Sequence, residues 1–317
     1  MSAMGDSTTE ASVRAAAVDA DKRRGGWDPD VDDRMAALGS PVRDLFEPSL
    51  ETLAEADRIT LVPDAHYPFH PSSGMVTDPA VIGSIVARLE RRTDADVAVA
   101  GASDERISFG RTAAYLGYAS LLERFDAELV DLADESRTDD ICTVDGTPMA
   151  ISVSERLVES TVIVVPSLRP SEDGPVAGAM RTLAALVDST ADPERVPVAA
   201  TRVIEPAVSV LDATTAYGGD PATGNALFAG SAPAVDAVAT SLLGRSIETD
   251  AALKTARGEA GPVSVEGANV DFERLRDRIP DGELPPSDET HPAVSAAYRV
   301  YAAVAGDAVP PQLEGGR

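Results

Sequence analysis

A chain of 317 residues that is 44% hydrophobic can bury one large core or two modest ones, which excludes a wholly disordered polymer. Its formal charge is -26, and only Lys22 and Lys254 among its 27 basic residues are lysines, so it offers no basic patch for phosphates; nucleic acid and anionic membrane surfaces are excluded as ligands. Such like charge pushes a compact state apart in dilute buffer, but at about 1 M salt the Debye length falls to roughly 3 Å and the repulsion is screened. The composition therefore points to a salt-adapted, halophilic cytoplasm, with an acidic face that meets a basic partner as the other reading.

Cys142 is the single cysteine, so no internal disulfide, four-cysteine zinc site or iron–sulfur cluster is expected from this chain alone. The N-terminus lacks the apolar core of a signal peptide, and no apolar run reaches the roughly 18 residues of a membrane span. A soluble, cytoplasmic protein without a membrane partner is the expectation.

Residues 1–30 are small, polar and charged and read as a flexible arm. Residues 31–280 read as an α/β domain. "VDDRMAALGSPVRDLFEPSLETLAEA" offers a short helix, a break at Ser40-Pro41, and a second helix leading into the first strand, "RITLVPD". "TDPAVIGSIVARLERR" is a helix capped by Thr77 or Asp78, with Pro79 in its first turn and Val81, Ile82, Ile85, Val86 and Leu89 on one face. Strand "DVAVAGA", helical "SFGRTAAYLGYASLLERF" and strand "AELVDL" follow. "TVIVVPSL" is β-branched on both faces, as in a central strand covered on both sides. Helix "GPVAGAMRTLAALVDS", strand "AVSVLDAT", short strand "NALFAGS" and helix "APAVDAVATSLLG" come next. A strand in "PVSVEGA" and a short helix near "FERLRDR" close the domain. Residues 281–317 read as a Pro- and acid-rich linker and an amphipathic helix in "HPAVSAAYRVYAAVAG". Strand-length runs alternating with helical patterns predict an α/β fold: a mainly parallel sheet with crossover helices on both faces.

In such a sheet ligands bind beyond the carboxyl ends of the strands, where neighbouring crossovers diverge. The residues just past the expected strands are Asp64 and His66, Ser103 and Asp104, Asp131, Ser167 and Arg169, and Asp212 with Tyr217, Gly218 and Gly219. The bland alternative is that strand ends are polar because they enter solvent. In "AHYPFHP", Asp64 and His66, with His70, could converge on a metal, although loop histidines are more often packing or solvent groups. The loop "YGGDPATG" could cradle a cofactor phosphate through Tyr217, Gly218 and Gly219, but it leads into a strand where phosphate loops feed a helix. Asp236 lies among small and apolar helical positions. A buried carboxylate there needs an arginine, a metal or a backbone amide, unless it merely favours the helix dipole. Asp212, Asp236 and Arg169 form the candidate catalytic set.

Four segments resemble the domain of unknown function 362 family. "ITLVPDAHYPFHPSSGMVTDPAVIGSIVARL" is similar to its opening strand, loop and Thr-Asp-Pro cap, and "STVIVVPSLRP" to the strand ending in a Lys-Thr-His type motif. "AVSVLDATTAYGGDPATG" resembles its Val-Asp-Ala strand and glycine loop, and "ALFAGSAPAVDAVATSLLG" its Val-Asp-Ala helix. The resemblance covers about residues 57–270 and implies a fold and a site location at Asp212, the glycines and Asp236, but no particular reaction. This chain departs from the pattern where Leu168, Arg169, Pro170 and Ser171 replace the Lys-Thr-His motif, and its single cysteine cannot supply the iron–sulfur clusters that many relatives carry. Two functions follow: a metal-assisted or redox-associated enzyme that acts on a small molecule and can work beside a redox partner protein, or a non-catalytic binding or accessory protein that kept the fold and lost that motif's chemistry.

Overall fold

The computed structural model describes residues 11–19, 31–66, 68–104, 107–258, 260–267 and 269–284. Its strands are β1 (Ser12–Ala17), β2 (Arg58–Pro63), β3 (Asp96–Gly101), β4 (Ala127–Asp131), β5 (Arg137–Val144), β6 (Thr147–Ser154), β7 (Thr161–Val165), β8 (Val208–Tyr217), β9 (Pro221–Gly230) and β10 (Ser264–Glu266). The helices are α1 (Val31–Phe46), α2 (Leu50–Ala54), α3 (Pro79–Leu89), α4 (Phe109–Leu116), α5 (Tyr118–Leu122), α6 (Glu155–Glu159), α7 (Gly178–Ala184), α8 (Val196–Ile204), α9 (Ala232–Leu242), α10 (Ala251–Arg257) and α11 (Phe272–Arg278). Among the described residues, no helix is long and apolar enough to cross a membrane.

Eight strands form one sheet in the order β10-β1-β9-β8-β7-β2-β3-β4. The run from β8 to β4 is parallel throughout, as is the pair β1 and β10, while β9 is antiparallel to both β8 and β1. The α/β class and the mainly parallel sheet are thus as the alternating pattern requires. Alternation along each strand feeds two layers. Ile59, Leu61, Val97, Val99, Ile163 and Val165 pack against α1 and α3, whereas Val62, Ala98, Ala100, Val162 and Val164 pack against α7 and α8. Leu211, Ala213 and Phe228 extend the second layer beneath α9.

Two local expectations give way in part or whole, and one element was not expected. The segment expected as an arm contributes β1, which pairs with β9 through Arg14 to Ala17 and buries Val13 completely. No break occurs at Ser40-Pro41, since α1 runs straight through a buried Pro41. Burial of Leu38, Val42, Leu45 and Phe46 outweighs the ~3 kcal/mol that an interior proline costs a helix. A β5–β6 hairpin, turning on Asp145 (φ 49°) and Gly146 (φ 74°), fills the stretch between β4 and β7. Beyond residue 284, the expected linker and C-terminal helix, with His291, lie outside the described residues.

Candidate functional site

From β2 the chain moves outward through β3 to β4, and it returns to the other side of β2 to lay down β7 and then β8. The order therefore reverses between β2 and β7. The crossover leaving β2 carries α3 on one face, and that leaving β7 carries α7 and α8 on the other, so a crevice opens at the carboxyl ends of these two strands. A cleft of about 840 Å³ lies there, lined by Asp64 and His66 after β2, Ser103 after β3, Arg169 after β7, and residues of α7 and the start of α8.

Asp64 anchors the cleft. Its backbone N–H donates to Val165 O at 3.1 Å and to Thr77 Oγ1 at 2.9 Å, and its carbonyl accepts from Thr77 N at 2.9 Å. Only 4% of the residue is exposed. Arg169 Nε donates to Oδ2 at 2.8 Å and Nη2 to Oδ1 at 3.3 Å, Ser167 Oγ donates to Oδ2 at 2.7 Å, and His66 Nδ1 donates to Oδ1 at 2.5 Å. Burial alone would push this carboxyl up, but the charges and hydrogen bonds of Arg169 and His66 hold it well below the usual carboxylate range. The His66 side chain is 37% exposed and lines the cleft, with Arg169 Nη2 3.2 Å from its Nε2. An imidazole held at Nδ1 by an ionised carboxylate is an arrangement suited to accepting or donating a proton at Nε2.

A metal does not fit this donor set. The guanidinium already sits across both Asp64 oxygens, and among the described residues no three His, Cys, Asp or Glu side chains gather to hold an ion. His70 is occupied elsewhere, accepting from Ser72 N at 3.2 Å in a short 3-10 turn.

Asp212 does not close its strand; it lies within β8, which continues to Tyr217. It shares a face with Val208 and Val210, toward α3, and is 2% exposed. Its Oδ2 accepts from Asp78 N at 2.8 Å, and its Oδ1 from Thr214 N at 2.9 Å and Thr214 Oγ1 at 2.6 Å. Its own backbone pairs with Pro166 O and Leu168 N on either side of Ser167. Asp212 thus braces the two loops that carry Asp64 and Arg169 without lining the cleft.

Asp236 faces the opposite layer. Its Oδ1 accepts from Ala179 N at 2.6 Å and its Oδ2 from Met180 N at 2.9 Å, so it caps α7 from α9. Burial pushes this carboxyl up to about 7 against the pull of those two N–H groups and of Arg181, and nearby Asp250 adds to the rise. The backbone amide is the partner that its burial demanded. The expected union of Asp212, Asp236 and Arg169 in one cleft is not formed, because the two acids lie on opposite faces of the sheet.

Tyr217, Gly218 and Gly219 are also elsewhere. They make the tight turn between β8 and β9, where a Cβ on Gly218 would meet Pro280 O at 2.0 Å and one on Gly219 (φ +90°) the Gly282 Cα at 3.0 Å. The 280–282 segment packs on that turn, which leaves no cradle for a phosphate. Conversely, Arg181 was not foreseen in the cleft wall. Its Nη1 and Nη2 reach Asp250 at 2.8 and 3.0 Å, and a lone arginine inside the apolar run "GAMRTLAALV" was the available signal, since a buried charge needs a partner.

Comparison with known proteins places these features. No curated protein matches the chain. A crystal structure of a protein from Thermotoga maritima is similar with a TM-score of 0.37 and 13% sequence identity, over 58% of this chain and 50% of that one, so the chain matches about half of that protein's length. The family described as Domain of unknown function (DUF362) matches residues 59–241, more than half of the chain and a span that contains Asp64, His66, Arg169, Asp212 and Asp236. The chain, with its switch-point cleft and the buried Asp64, Asp212 and Asp236 inside the matched span, belongs to the DUF362 family.

Proposed function

We propose that the switch-point cleft binds a small molecule and that His66, oriented by Asp64, transfers a proton to or from it. The observation that carries this reading is the 2.5 Å contact between His66 Nδ1 and a buried, ionised Asp64 at the wall of a cleft of about 840 Å³. That contact fixes the tautomer with the proton on Nδ1, and Nε2, 3.2 Å from Arg169 Nη2, is the atom through which a proton would pass to or from the ligand. Arg169 and Ser167 hold the carboxylate in place, so Asp64 acts through His66 as a positioning residue. The volume suits a small organic molecule, since ligand clefts run from roughly 300 to 1,000 Å³. The second reading, binding without turnover, is favoured by Arg169 standing where the family's motif carries a lysine or histidine, and it uses the same cleft.

Protein purified at high salt, incubated with a small-molecule extract and examined by native mass spectrometry tests the site. Ala185 is an exposed residue of the cleft wall, so Ala185→Trp fills the cleft without disturbing the core. A molecule retained by the wild type and lost in Ala185→Trp is the expected result. The same retention in both, or none in either, overturns the cleft as a binding site.

A further inference from the structure

Resting on the reading of the cleft as a small-molecule site, we infer that its ligand carries a protonated amine: the cleft is built to receive hydrogen-bond donors and positive charge. The inference comes from an inventory of its polar lining. Arg181 uses every N–H of its guanidinium inside the protein. Its Nε donates to Asp173 O at 3.2 Å, Nη1 to Val176 O at 3.2 Å and Asp250 Oδ2 at 2.8 Å, and Nη2 to Asp173 O at 3.0 Å and Asp250 Oδ1 at 3.0 Å. Arg169 is nearly as fully engaged, with Nε and Nη2 on Asp64, Nη2 also beside His66, and Nη1 donating to Pro170 O at 3.2 Å.

All but one of the lining hydroxyls follow the same pattern, the exception being Ser171, whose Oγ accepts from Asp173 N at 3.2 Å. Ser103 Oγ donates to Asp131 Oδ2, Thr182 Oγ1 to Gly178 O at 2.7 Å, and Ser189 Oγ to Ala150 O at 3.0 Å. Their protons are turned into the protein, and lone pairs are what they can offer a ligand. Both guanidinium charges are neutralised by carboxylates, Asp64 at 4% and Asp250 at 1% exposure. Among the described residues of this lining, an anionic ligand would meet no uncompensated cation. At the rim, Glu172, Asp173 and Glu194 add carboxylates that no arginine of the cleft is left to neutralise. Ala177, Ala184, Leu186 and Pro193 supply an apolar wall for the carbon skeleton. Donor-poor lining, paired arginines and acidic rim thus select an ammonium group on a short apolar body over a carboxylate or phosphate of the same size.

Three four-carbon probes, putrescine, butanediol and succinate, separate the possibilities by charge alone. Each is titrated into the full chain at constant high KCl while the His66 Cε1 proton resonance, assigned by its loss in His66→Gln, is followed by NMR. Putrescine is expected to shift the resonance saturably, butanediol more weakly, and succinate not at all. The triple variant Glu172→Gln, Asp173→Asn, Glu194→Gln should weaken putrescine binding by about tenfold, the effect of three modest exposed charge contacts. Succinate binding as well as putrescine, or putrescine binding unchanged in the triple variant, overturns the amine assignment while leaving the cleft a binding site. No response to any probe, with Ala185→Trp behaving as the wild type, overturns both the assignment and the binding site.

Discussion

Arg169→Met isolates the interaction on which the cleft depends. The substitution keeps much of the side chain's length and removes the guanidinium from a carboxylate that is 4% exposed, and the arginine side chain itself is 11% exposed. Solvent therefore replaces little of what is lost. Removing one partner of a buried ion pair costs about 3–5 kcal/mol, and for a chain of this size that lowers the melting temperature by on the order of 10 °C. The sign with pH follows from the two states of Asp64. In the wild type its depressed value gives stability that is present above the unfolded value of about 3.9 and lost as pH falls through the folded one. In Arg169→Met burial dominates and the carboxyl rises above its unfolded value, so the ionised form is penalised at neutral pH and relieved when it takes up a proton. The gap between wild type and variant should thus be widest near neutrality and narrow toward about pH 4. Thermal melts by circular dichroism at fixed high salt, over a pH series, measure it. The double variant Asp64→Asn, Arg169→Met, which buries no lone charge, should recover more than half of the loss. A single variant as stable as the wild type at neutral pH, or a gap that ignores pH, would refute the reasoning.

Asp212→Asn puts an amide N–H₂ against at least one of the donors on Asp78 and Thr214, so unfolding should become easier by about 1–3 kcal/mol while the cleft still retains its ligand. Unchanged stability with lost retention would instead make Asp212 a functional carboxylate. Gly178→Ala places a methyl 2.5 Å from the Asp236 carboxyl carbon at a φ of +59°, and the combined clash and strain should cost roughly 2 kcal/mol or more in a thermal melt. An alanine variant that melts with the wild type contradicts the cap geometry. Circular dichroism through a salt series should show structure lost as salt is withdrawn, because the charge of -26 is then unscreened. A spectrum unchanged down to low salt rejects halophilic adaptation.

The strand-end rule needed only the boundaries of apolar runs: "RITLVPD" and "DVAVAGA" end just past β2 and β3, while "TVIVVPSL" runs on to Leu168 where β7 stops at Val165. Asp64, His66 and Arg169 were legible for that reason. Asp212 was not, because "VSVLDATTAY" is apolar on both faces, so period-two alternation does not say which layer a side chain enters, and where β8 stops is set by its pairing with β9 through Tyr217 and Pro221. The same pairing turned Tyr217 to Gly219 from an expected cradle into a hairpin turn. β1 was hidden because "SVRAAA" holds one large apolar residue, Val13, and gains its place only from β9 and β10. The β5–β6 hairpin did carry a signal, Asp145-Gly146 before the alternating Met149, Ile151 and Val153, whose buried side chains line one face of β6.

Turnover by wild type and His66→Gln, measured side by side, bears most directly on the cleft as a seat of proton transfer. Each protein is incubated at high salt with the molecule it retains, and substrate loss and deuterium exchange from heavy water are followed by mass spectrometry. The wild type should convert the molecule or exchange one of its carbon-bound protons, and His66→Gln should retain it with the rate reduced by about 100-fold or more, the usual contribution of a positioned acid or base. Equal rates in the two proteins, or retention by the wild type with neither conversion nor exchange, would contradict proton transfer by His66.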